Sequence, residues 1–164
     1  MHRKVFANKV FERKVVVVTG GGAGIGRALA IRFAQAGARL VIFDLQQETL
    51  DSLVQHLADH HNIEALGLCC DVADALAVQA AMQRVLERFG GIDILINNAG
   101  ITHRSTFAET ELAVFQRVMA VNYFGALHCT REALPSLIAR QGQVIVLSSL
   151  SGFAPLLYRS AYNA

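Results

Sequence analysis

Along the chain, apolar and polar positions follow two alternating rhythms. Short runs of continuous apolar residues come first: "KVVVVTG" (14–20), "ARLVIFD" (38–44), "IEALGLCCDV" (63–72), "IDILINNAG" (92–100) and "QVIVLSS" (143–149). Each reads as a strand, and the first, a continuous β-branched run ending in glycines, as a strand buried on both faces. Between them the apolar positions move to helical spacing. Ile25, Leu29, Phe33 and Ala36 form one set, closed by Gly37; Leu50, Leu53, Val54 and Leu57 form a second. Val78, Met82, Val85, Leu86 and Phe89 form a third, ahead of Gly90 and Gly91. A long helix is expected from about Glu111 to Leu134. Its stripe holds Phe115, Met119, Asn122, Ala126, Thr130 and Ala133, and Pro135 should disturb or kink it near its end. Strands alternating with helices predict parallel pairing through crossover helices, hence an α/β fold: a doubly wound parallel sheet in three layers. Residues 14–164 read as one such domain and residues 1–13 as a tail before the first strand.

Composition supports this reading and removes rivals. The 164 residues are 53% hydrophobic and 17% charged, too apolar for disorder, and long enough for a core. A formal net charge of +2, with the basic residues scattered, gives no nucleic-acid footprint. No run approaches the roughly 18 apolar residues of a membrane span. The opening "MHRKVFANKVFERK" has no apolar core or cleavage signal, so a cytoplasmic protein is expected. Cys69, Cys70 and Cys129 are an odd number in apolar surroundings, which reads as buried, reduced thiols.

Chemistry concentrates at the ends of the strands. "TGGGAGIG", Thr19 to Gly26, joins the first strand to the first helix. It fits G-x-x-x-G-x-G on Gly20, Gly24 and Gly26, with Gly22 and Ile25 inside the turn. Such glycines let the backbone turn sharply and approach a pyrophosphate, whose charge is stabilised by the free N–H groups of the helix that follows. A plain glycine-rich turn is the competing reading. Asp44 ends the second strand about 20 residues on, where a carboxylate can accept from the adenine-ribose hydroxyls and repel a 2′-phosphate. Ala23 supplies no basic side chain for such a phosphate. Both features favour NAD over NADP, although Asp44 also suits a helix N-cap.

These residues resemble the short-chain dehydrogenase/reductase family, in its classical branch, from Lys14 to Ala164. The motifs occur in the family's order: "TGGGAGIG", "CDV" (70–72), "NNAG" (97–100), "VNYFG" (121–125), "SSLSG" (148–152) and "YNA" (162–164). The resemblance implies a Rossmann-type, NAD(P)-binding domain and hydride transfer between NAD(H) and a small secondary alcohol or ketone. It implies that Asp71 and Val72 contact the adenine, and that Asn97, Asn98, Ala99 and Gly100 support the sheet and line the cofactor cleft. It also makes Asn122, Ser149 and Tyr162 three members of a catalytic tetrad: a water-holding amide, a donor to the substrate oxygen, and the acid or base. Ser149 is preferred to Ser148 because it lies three positions before Gly152, as the family's serine does.

The family's fourth member is a lysine four residues after the tyrosine, and the sequence stops two residues after Tyr162. The expectation is therefore of a domain incomplete at its C-terminus, lacking the last strands and helices, with an apolar surface and a strand edge left open. A homo-oligomer is expected for a full-length form. The alternative function is a truncated, inactive dinucleotide-binding or partner-binding protein. His56, His60 and His61 fall at near-helical spacing without further ligands, which reads as an exposed polar face, not a metal site. His103 and Arg104 read as a solvent-exposed loop, and Tyr123 and Tyr158 as packing or loop residues.

Overall fold

The structure, a computed structural model, describes residues 10–163. The expected tail therefore falls mostly outside the described residues. Five parallel strands are present among them: β1 (Val15–Thr19), β2 (Arg39–Asp44), β3 (Ala65–Cys69), β4 (Ile94–Asn97) and β5 (Gln143–Val146). Their order in the sheet is β3-β2-β1-β4-β5, so successive connections run first to one side of β1 and then to the other. The helices between them are α1 (Gly24–Gln35), α2 (Gln47–His61), α3 (Ala75–Phe89), α4 (Leu112–Met119) and α5 (Ala126–Ala139), with a π-helical segment, Ala120–Gly125, joining the last two.

Alternation along the strands builds two cores. Val15, Val17, Val41, Phe43, Leu68 and Leu95 face the side covered by α3 and α5, against Met82, Val85, Cys129 and Ala133. Val16, Val18, Leu40, Ile42, Ile94 and Ile96 face α1 and α2, against Ala30, Ala34, Leu50, Leu53 and Leu57. Helices cover both faces of the central strands β1, β2 and β4, whose interiors are accordingly apolar on both sides, whereas β5 is exposed along its length. The helix ends follow the expected punctuation. Asp74 caps α3 by accepting from the backbone N–H groups of Leu76 and Ala77, and Gly90 ends it at φ 72°.

Four expectations are corrected. In α1 the fully buried residues are Gly26, Ala30 and Ala34; of the expected set Ala36 is buried and Leu29 and Phe33 pack half-buried against the core, but Ile25 is 67% exposed. Small residues let this helix lie close on the sheet, so its larger side chains sit at the flanks. The long helix does not stop before Pro135; α5 continues through it to Ala139. Pro135 and Arg131, whose carbonyl loses its partner there, both lie on the exposed side, where water can satisfy it. The irregularity comes earlier, at Ala120–Gly125, and the buried stripe runs through Val118, Val121, Cys129, Ala133 and Leu137 instead of Phe115 and Met119. Cys69 is exposed, because β3 is the sheet's edge strand, while Cys70 and Cys129 are buried and all three are free thiols.

Candidate active site

The order of the strands reverses between β1 and β4, and ligands in open α/β sheets bind at the carboxyl ends of the strands at such a point. A cleft of about 420 Å³ lies there. Gly20, Gly24 and Ile25 of the glycine turn line it, as do Asp44 and, from the chain after β3, Asp71 and Val72; Asn98, Ala99 and Gly100 close the side after β4. Thr19, Gly22 and Gly26 are not on its surface. They shape the turn from behind.

Thr19 and Asn98 hold that turn together. The backbone N–H groups of Asn98 and Ala99 both donate to Thr19 Oγ1, at 3.0 Å each. Asn98 Nδ2 donates back to the carbonyls of Thr19 (2.8 Å) and Gly20 (3.0 Å). Gly26 is needed for close approach: a Cβ there would stand 2.3 Å from the Gly20 carbonyl oxygen. Gly24 is different. It has φ +53° and nothing within 4 Å of where a Cβ would lie, so its backbone faces open space.

The start of α1 is left open as well. Its N-cap, Ala23, brings no side-chain acceptor, and its first turn has no acidic residue. The orphan N–H groups and the positive end of the helix dipole are thus available to an external anion at the cleft. A pyrophosphate fits these residues.

Asp44 serves the turn and α2 at once. Its Oδ2 accepts from the Gly22 N–H at 2.9 Å, and its Oδ1 from those of Leu45 (2.8 Å) and Gln46 (3.3 Å). Asp71 is similarly engaged: Oδ1 accepts from the Ala73 N–H, and Oδ2 from Arg117 Nη2, both at 3.0 Å. Arg117 had no distinguishing mark in the sequence, since a lone arginine on a helix reads as solvated surface. Its partner becomes visible only when α4 is folded against the end of β3.

Asn122, Ser149 and Tyr162 do not line the cleft. Asn122 stands in the π-helical segment and clasps the chain after β4. Its Oδ1 accepts from the Ile101 N–H at 2.8 Å, and its Nδ2 donates to the Ile101 carbonyl at 2.9 Å. Ser149 is exposed beyond β5, and its Oγ accepts from the Ser151 N–H at 3.1 Å, opening a short 3-10 turn. Tyr162 is half-buried in a turn, its N–H donating to the Arg159 carbonyl at 2.9 Å. Arg159 connects this turn to the loop after β4: its guanidinium donates to Thr102 Oγ1, and Ser105 N–H donates to the Tyr158 carbonyl at 3.0 Å. Asn97, also named from the sequence, is buried; its Nδ2 donates to Thr130 Oγ1 at 3.0 Å, linking β4 to α5.

The remaining candidates stay outside the site. His56 and His60 stack at 4.3 Å between ring centroids, and His61 is half-buried, its pKa lowered by burial and by the two neighbouring imidazoles. No group of His, Cys, Asp and Glu among the described residues could hold a metal ion. His103 and Arg104 are exposed. No helix among the described residues is long and apolar enough to cross a membrane.

Residues 14–164 match the short chain dehydrogenase family along their whole length. Dehydrogenase/reductase SDR family member 7B of Bos taurus is 42% identical over 156 residues, covering 92% of this chain and 48% of that protein. Among solved structures, NAD+-bound xylitol dehydrogenase is similar with a TM-score of 0.89 and 30% identity, covering 93% of this chain and 59% of the other. L-Sorbose reductase from Gluconobacter frateurii, complexed with NADPH and L-sorbose, gives a TM-score of 0.90 at 33% identity, with coverage of 93% and 59%. The chain belongs to the short-chain dehydrogenase/reductase family. It spans about half the length of the curated relatives it matches.

Proposed function

We propose that this chain provides the dinucleotide-binding part of an oxidoreductase that interconverts a secondary alcohol and a ketone with NAD(H). The observation that carries the reading is the cleft itself. An uncapped helix N-terminus, an open glycine turn and a carboxylate at the end of β2 meet there, where a doubly wound sheet takes its ligand. The names of the solved relatives, a xylitol dehydrogenase and a sorbose reductase, agree with alcohol–ketone chemistry.

Bound in the cleft, the nicotinamide cofactor would supply or accept the hydride. The protein's part is binding, orientation and proton transfer. The N–H groups at the start of α1 hold the pyrophosphate, and Asp44 accepts from the ribose hydroxyls. Tyr162 gives a proton to the substrate oxygen or takes one from it, and Ser149 donates a hydrogen bond to the same atom. Asn122 positions the chain after β4 through its two bonds to Ile101. Its second Nδ2 hydrogen and second Oδ1 lone pair stay available to a water.

Asp44 makes the reading specific for NAD, since its charge opposes a 2′-phosphate. Equilibrium titration with NAD and NADP tests this. NAD should bind more tightly, and Asp44→Asn should reduce that preference about tenfold by removing one charge–charge repulsion. Equal affinity of the unaltered protein for both cofactors would defeat the assignment to NAD. Binding of neither would defeat the functional reading.

A further inference from the structure

Arg117 is the one basic side chain lining the cleft among the described residues. It reaches the cleft from α4 and is held there by Asp71, at 3.0 Å. That bond uses one of the five N–H donors of the guanidinium, and the side chain is 47% exposed. The group is therefore held at one nitrogen, with about half of the side chain exposed at the cleft.

Its place along the cleft is set by its partner. A dinucleotide at the switch between β1 and β4 lays its adenosine half over β2 and β3 and its other half over β4 and β5. Asp71 follows β3, so Arg117 stands at the adenosine end. Val72 and Val121, each 6% exposed, line the same cleft and offer an apolar surface. Val121 lies four residues after Arg117 on the same continuous helical run.

We propose that Arg117 is a purine clamp, a guanidinium plane tethered by Asp71 that closes over the adenine of the bound dinucleotide and presses it towards Val72 and Val121. This rests on the functional reading above and adds the residue that grips the base. A guanidinium is planar and weakly hydrated, and it stacks on aromatic faces as an ammonium cannot. The Asp71 carboxylate offsets its charge, so the grip depends on the plane and not on attraction to the phosphates.

The test is calorimetric titration of the protein with ADP-ribose and with NAD, for the unaltered chain, Arg117→Met and Arg117→Lys. The melting temperature of each without ligand is measured alongside. Both ligands should lose about tenfold in affinity in Arg117→Met, with Arg117→Lys nearly as weak although it keeps the charge. The unliganded melting temperatures should agree within about 2 °C, because the ion pair is half-exposed and contributes little to stability.

Affinity in Arg117→Met within about twofold of the unaltered chain overturns the clamp. So does full rescue by lysine, which would make the residue a point charge. A loss of affinity matched by a large fall in melting temperature also overturns it, by showing that Arg117 only anchors α4. If the unaltered protein binds neither ligand, the functional reading fails first and the clamp fails with it.

Discussion

At the amino edge of the sheet, away from the cleft, the Asp93 carboxylate gathers three donors. Lys14 Nζ meets Oδ1 at 3.0 Å; the Val15 N–H (2.9 Å) and Arg140 Nη1 (3.2 Å) meet Oδ2. Burial, with 7% of the side chain exposed, pushes its pKa up, but the Val15 N–H and the Lys14 and Arg140 charges outweigh that and hold it below the usual carboxylate value. A carboxyl whose folded-state pKa is lowered adds stability above its unfolded pKa and loses it as pH falls through the folded one. The unaltered protein should therefore lose stability below about pH 4 more steeply than Asp93→Asn. At neutral pH Asp93→Asn should cost about 1 to 3 kcal/mol in urea unfolding, because it leaves donors without their charged acceptor. Equal acid sensitivity in both proteins would show that other carboxylates set it. Burial acts unopposed on two thiols, raising Cys70 to about 11 and Cys129 to about 12, so both remain protonated at neutral pH.

Among the elements, the π-helical segment Ala120–Gly125 has the most consequences for the site. It carries Asn122 and ends at Gly125, where a Cβ would stand 2.6 Å from Val72 Cγ2. Val72 is also held from behind, by His128 Nδ1 on its carbonyl at 3.0 Å. Gly125→Ala should therefore push Val72 into the cleft, weaken dinucleotide binding, and cost about 1 to 3 kcal/mol by overpacking; titration and urea unfolding would measure the two effects. Affinity unchanged despite lost stability would mean that α5 moves and not Val72. Strand runs, glycine punctuation and the cleft's glycine and aspartate residues were legible in the sequence, because each depends on local composition and spacing. The π-helical segment was not, since its widened turn leaves a pattern of apolar residues that an ordinary helix also produces. The Asp93 cluster and the Asp71–Arg117 pair were hidden for another reason. Their members lie 46 to 79 residues apart, so no local window contains both ends.

Taken whole, the described part of the molecule is more open along the β5 edge of its sheet than along the β3 edge. All four residues of β5 are exposed, Val144, Ile145 and Val146 by 42%, 38% and 59%. Leu127, Leu134 and Ile138 on α5 and Tyr123 and Phe124 just before it are exposed too. An unpaired strand edge beside an apolar surface favours association. The 164-residue chain in isolation should self-associate with rising concentration in sedimentation, and bind an apolar fluorescent dye. A dilution-independent monomer that binds no dye would show that these surfaces are less adhesive than their composition indicates. The bonds between Asn98 and Thr19 have a consequence of another kind. The glycine turn belongs to the first 26 residues of the chain, yet it is held in shape by a residue 79 positions later. On the ribosome, the turn is made early and completed late. A nascent chain has no finished glycine turn until β4 has emerged and paired beside β1, so on the proposed function a dinucleotide would find no early template site on it.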